Sequence, residues 1–266
     1  MRNPATHLSR FFSRGSWRWL AALASGLIWF SALLLTVPSP VVAQTNYFFT
    51  NATTTAQSWS LSIWSNTLNS AKTGPPAGGS NDYLITFNGN ATFDATNDLF
   101  SAANGGFQLN QLIFNAGTPT LYGSNLVFLT SSTGVGPQLL QNTGNNLIIN
   151  NGLVFSNNTT FGGSGGGSLT LNGALGGNGG LIKTTSGTLT LNSASTYAGG
   201  TTISNGVLSA QNVGALGSGP VTLWGGATLA LLPSGVNTYP NAVNITGTGN
   251  ATINTRPSGG ASAYLH

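Results

Sequence analysis

The string Gly162-Gly163-Ser164-Gly165-Gly166 satisfies the Gly-x-Ser-x-Gly pattern of a nucleophile elbow, the sharpest hint of chemistry in the chain. An elbow needs a strand before the serine, a helix after it, and an acid and then a histidine further along. Here the three carboxylate side chains, Asp82, Asp94 and Asp98, all precede the serine, and the two histidines are His7 and the last residue, His266. That order excludes a serine hydrolase. Gly214-Ala215-Leu216-Gly217-Ser218-Gly219 resembles a nucleotide loop in composition only. The strand-like Pro220-Val221-Thr222-Leu223 that follows leaves no helix N-terminus to hold phosphate. No Gly-Lys-Ser/Thr occurs for a P-loop. Both glycine runs read as turns. Asp94 and Asp98, with Asn97 between them, could supply oxygen ligands to calcium, and solvated loop residues are the plainer alternative. No catalytic, cofactor-binding or metal-site residue is assigned, no cofactor is expected, and the chain reads as a non-enzyme.

Charge narrows the field further. Seven Lys and Arg give the whole chain a net charge of +4, but Arg2, Arg10, Arg14 and Arg18 all lie in the first segment. They form a positive n-region, Leu20 to Val37 form an apolar run, and Val41-Val42-Ala43 offers small residues at a cleavage site, so residues 1–43 read as an export signal cleaved after Ala43. A retained signal anchor is the alternative. The remainder keeps Lys72, Lys183 and Arg256 against the three aspartates and is neutral. No basic face is left for phosphates, which excludes a nucleic-acid binder. Cysteine is absent, so an exported chain must be held together by stacking and hydrogen bonds.

The elements that would position any site are strands. In Thr188-Leu189-Thr190-Leu191 the period of two places leucines on one face and hydroxyls on the other. Leu109, Leu129, Ile149, Leu169, Leu189, Leu208 and Leu229 recur at separations of 20, 20, 20, 20, 19 and 21, and Ile182, Ile203, Leu223 and Ile245 form a second ladder. A hairpin meander has no reason to hold such phases, whereas stacked coils of about 20 residues do. Asn145-Asn146, Asn150-Asn151-Gly152, Asn172-Gly173 and Asn205-Gly206 mark corners, where stacked Asn side chains can bond from rung to rung. The run 162–167 reads as a loop between coils rather than a linker. Tyr47, Phe48, Phe49, Trp59 and Trp64 suit a terminal unit that covers the open core. A sugar-binding aromatic platform is the alternative reading of those rings.

The stretch 180–210 resembles the passenger-associated transport repeat, also called the autotransporter-associated β-strand repeat. The likeness is carried by Gly180-Leu181, Lys183-Thr184, Gly187 to Leu191, Tyr197, Gly199 to Thr202, Ile203 and Gly206. It covers one repeat, with looser copies on either side. The resemblance implies a right-handed parallel β-helix in an exported surface protein of a Gram-negative-type bacterium, not a chemistry. It also implies a membrane β-barrel translocator, for which these 266 residues supply no amphipathic strands; a longer passenger or another export route is expected.

The chain is therefore expected to be all-β, a right-handed parallel β-helix solenoid with an aromatic N-terminal cap. Its parts are a signal peptide (1–43), a cap with first irregular strands (44–106) and regular coils (107–266). The expected function is an exported structural or adhesive stalk, secreted or at the cell surface, with an unknown extracellular ligand that could be carbohydrate. A carbohydrate-binding or polysaccharide-degrading β-helix is the alternative. Only Tyr264 and Leu265 follow the strand 251–255 as closing apolar groups, so self-association through that end is expected, weakened by Ile253→Lys.

Overall fold

Alternation sets the strands. In Leu169–Leu171 and Thr188–Leu191 the leucines are buried and the threonines half-buried on the opposite face. The computed structural model describes residues 43–49, 55–61, 64–66, 74–233, 237–255 and 263–265. All belong to the second of two compact units, Val41–His266. The export signal expected over residues 1–43 lies outside the described residues except at Ala43.

The strands stack as a parallel β-helix. One sheet runs from Thr45–Phe49 through Tyr83–Phe87, Gln111–Phe114, Gln138–Gln141, Thr159–Gly162, Leu181–Lys183, Thr201–Ile203 and Val221–Trp224 to Val243–Thr246, every neighbour parallel. A second nine-stranded sheet runs from Gln57–Ser58 to Thr252–Thr255. A third side carries four strands, Phe107–Leu109, Leu126–Phe128, Leu153–Phe155 and Leu175–Gly176. The core is the lumen between these sheets. At its start Trp64–Asn66 pairs antiparallel with Thr45–Phe49 and closes the sheet edge. Phe49, Trp59 and Trp64 are fully buried there, with Phe49 stacked on Phe93 at 4.8 Å and edge-on to Trp64 at 5.1 Å. Those rings form the aromatic cap. Being enclosed, Phe49, Trp59 and Trp64 cannot serve as a sugar platform, while Phe48 is half-buried on the opposite face of its strand.

Coil length changes along the stack. Ile85, Leu112 and Leu139 follow one another at 27 residues, Phe161 and Lys183 at 22, Ile203 and Leu223 at 20. A step of 20 thus holds from Lys183 to Leu223 in the first sheet, and the step from Leu223 to Ile245 is again 22. The coils between Ile85 and Lys183 each include a strand of the third sheet, and one also carries the loop at 129–137. The leucine ladder is correspondingly in register from Leu169 through Leu189 and Leu208 to Leu229. Upstream the register differs from the 20-residue ladder: Leu109 faces Phe128 in the third sheet, and Ile149 pairs with Leu171. In the second ladder the rung of Ile203, Leu223 and Ile245 is continued by Lys183, not by Ile182.

Candidate functional site

The three carboxylates lie along one coil, Asp82 just before the strand Tyr83–Phe87, Asp94 at the start of Asp94–Asn97 and Asp98 just after it. Asp98 Oδ1 accepts from Ser60 N at 2.9 Å and its Oδ2 from Ser60 Oγ at 2.5 Å. Asp82 is buried and its Oδ1 accepts from Ser132 N at 2.8 Å and Ser132 Oγ at 2.9 Å, holding a loop fifty residues away. Asp94 is exposed at the start of its strand, beside Thr120. Among the described residues no group of three or more His, Cys, Asp or Glu side chains converges. Both oxygens of Asp98 are therefore engaged by a serine, away from any acid–base or metal set.

Ser164 sits on an exposed turn with no helix behind it, and its N–H donates to Asn142 Oδ1 at 3.2 Å. Its glycine neighbours lie against backbone. A Cβ on Gly165 would meet Thr143 O at 2.0 Å, and one on Gly167 would meet Asn145 O at 2.0 Å. The run is a corner pressed onto the coil below. Gly217, at φ 64°, likewise lies under the ring of Tyr197. His266 lies outside the described residues.

The polar groups that do converge are inside the coil at 180–206. Lys183 is fully buried, and its Nζ donates to Thr185 O at 2.6 Å, Thr185 Oγ1 at 3.2 Å and Asn205 O at 2.9 Å. It ties its own corner to the corner of the next coil. Desolvation lowers its pKa to about 8. Tyr197 is fully buried, edge-on to Phe155 at 5.8 Å, with its hydroxyl 2.5 Å from Thr201 Oγ1. Burial pushes the Tyr197 phenol up, against the opposing pull of that hydroxyl contact. Gly199 lies on Gly180, where a Cβ would meet Gly180 N at 2.4 Å, and Gly206 at φ 66° turns the chain toward Val207–Ala210.

Outside the lumen, Asn192 Nδ2 donates to Asn172 Oδ1 at 2.6 Å and Asn172 Nδ2 to Asn150 Oδ1 at 2.7 Å. Two of the corner residues read from sequence, Asn150 and Asn172, thus join a rung-to-rung chain with Asn192. A second chain, Asn142 to Asn115 to Asn88, was not anticipated. Its spacing of 27 residues follows the longer coils and would have revealed both.

Lys183, Tyr197, Gly199 and Gly206 of the 180–206 pattern each have a place in building one coil. Nothing among curated proteins or solved structures matches the chain. Residues 181–210 match the passenger-associated-transport-repeat family, so this coil, with its buried lysine, buried tyrosine and close-set glycines, carries the repeat of autotransporter passengers.

Proposed function

We propose that the protein is an exported, non-catalytic stalk that presents surface features away from the cell. The observation that supports this most is the use of Lys183, Tyr197 and Gly206 as internal fastenings of the matched repeat, while Asp82 and Asp98 each bind a separate serine. A stack in which each strand pairs above and below resists bending and tolerates variable loops at its corners. Export, removal of residues 1–43 and a surface or secreted location belong to this reading, as the repeat family implies. So does end-to-end association through the last rung, where Ile245 is 64% exposed.

The test is incubation with a panel of polysaccharides and measurement of new reducing ends and unsaturated products. None is expected. Product formation that disappears in the Asp94→Asn, Asp98→Asn double variant would replace the stalk with a polysaccharide-degrading β-helix.

A further inference from the structure

Among the described residues the tryptophans differ sharply in exposure: Trp59 and Trp64 are fully enclosed, whereas Trp224 is 44% exposed. Alternation explains its position. Val221 and Leu223 point into the lumen and are fully buried, so Thr222 and Trp224 point out from the same strand. The ring lies over Gly247, which has φ 79° and where a Cβ would meet Trp224 Cε3 at 2.9 Å. The missing side chain lets one part of the indole rest on backbone while the rest stays open to solvent.

The surroundings of the ring are neutral and unengaged. Thr222 pairs with Thr202 on one side and Asn244 on the other, and Trp224 pairs with Thr246. Ser204 follows Ile203, which pairs with Leu223, the residue before Trp224. None of the side chains of Thr202, Ser204, Thr222, Asn244 and Thr246 makes a hydrogen bond within the described structure. Some outer polar side chains elsewhere are tied to one another, as in the Asn150, Asn172 and Asn192 chain or the bond from Thr86 Oγ1 to Asn46 Oδ1 at 2.7 Å. Here a flat aromatic face is ringed by free donors and acceptors, and no described Lys, Arg or Asp borders it.

We propose that the outer face of the first sheet around Trp224 is a binding platform for neutral, β-linked pyranose chains. A pyranose with equatorial substituents presents an axial C–H face that can lie on the indole, and hydroxyls at its edge that match a rim of Thr, Ser and Asn. An anionic ligand would find no cation there, and a cationic one no carboxylate. An open face of one aromatic ring gives weak single-site affinity, which repeated display on a surface strengthens through avidity. The platform supplies a ligand class for the presentation reading and rests on that reading only for its adhesive role.

Isothermal titration calorimetry of the full chain with β-1,4-linked hexasaccharides of glucose and of N-acetylglucosamine tests the site. Saturable binding, unchanged by added salt, is expected for at least one of them. Trp224→Ala should weaken it by about tenfold or more, equivalent to about 1.4 kcal/mol, while Trp224→Phe should retain most of it. Thr222→Ala with Asn244→Ala should weaken it while leaving the ring in place. No saturable heat with either sugar, or equal affinity in Trp224→Ala, would overturn the platform. Sugar cleavage in the same samples would instead count against the non-catalytic stalk and leave the platform standing.

Discussion

Lys183 places an ammonium in a column otherwise made of Leu139, Phe161, Ile203 and Leu223. Its three acceptors are neutral, so burial is only partly offset and the pKa falls to about 8. The unfolded chain holds the same proton to about 10.4. A lowered folded pKa contributes stability that is present above the unfolded value and is lost as pH falls through the folded one. Stability should therefore rise between pH 8 and 10, by no more than about 3 kcal/mol. Tyr47 and Tyr239, pushed up to about 12 by burial, oppose this only at higher pH, where unfolded phenols ionise. Urea midpoints at pH 7.5 and 9.5 measure the effect, and Lys183→Met should flatten it; an unchanged slope would show that another group titrates. The sequence alone put Ile182 in this column because apolar residues are the default for a lumen. Spacing was the better guide, since Lys183, Ile203 and Leu223 stand 20 apart.

At the scale of the element, corners rather than strands determine which substitutions the coil accepts. Gly166 and Gly167 are adjacent in a run whose composition suits a flexible linker, yet their surroundings differ. A Cβ on Gly166 finds only Ser186 Oγ, 4.0 Å away, while one on Gly167 meets Asn145 O at 2.0 Å. Gly167→Ala should cost about 1–3 kcal/mol through forced separation of two coils, whereas Gly166→Ala should be neutral or stabilise by about 0.4–1 kcal/mol through the unfolded chain. Thermal melts of the two variants check the pair, and equal shifts would mean the corner is not pressed onto its neighbour. Strand phase from Leu169 onward and the corners at Asn150 and Asn172 were legible because they repeat at nearly constant spacing. Which glycine touches a carbonyl was not, because that depends on the path of the coil beneath.

For the whole stack, the sequence revealed a solenoid but misplaced its first rungs, because a search at 20 residues finds accidental leucines where the true step varies, from 19 between Leu109 and Phe128 to 27 between Leu126 and Leu153. Leu129 is such a case: it follows the strand Leu126–Phe128, and its N–H donates to Leu109 O at 3.1 Å. The far end shows the opposite face of regularity. Ile245 continues the inward column yet is 64% exposed, and Val243–Thr246 and Thr252–Thr255 stand last in their sheets. Ile245→Lys should therefore reduce association more cheaply than Ile253→Lys, since Ile253 is partly packed against the core. Light scattering at rising concentration would show it, and a wild-type monomer throughout would remove the proposed contact. The shortening of the coils has a mechanical consequence as well. Under tension applied at one end, a solenoid yields coil by coil, each release losing only about 4.8 Å of stack height. A coil of 20 residues, such as that from Lys183 to Ile203, then lets out roughly 70 Å of chain, and one of 27, such as that from Ile85 to Leu112, roughly 95 Å. A tether that peels from its regular end would lengthen first in short, even steps and later in longer ones, absorbing shear before its aromatic base is disturbed.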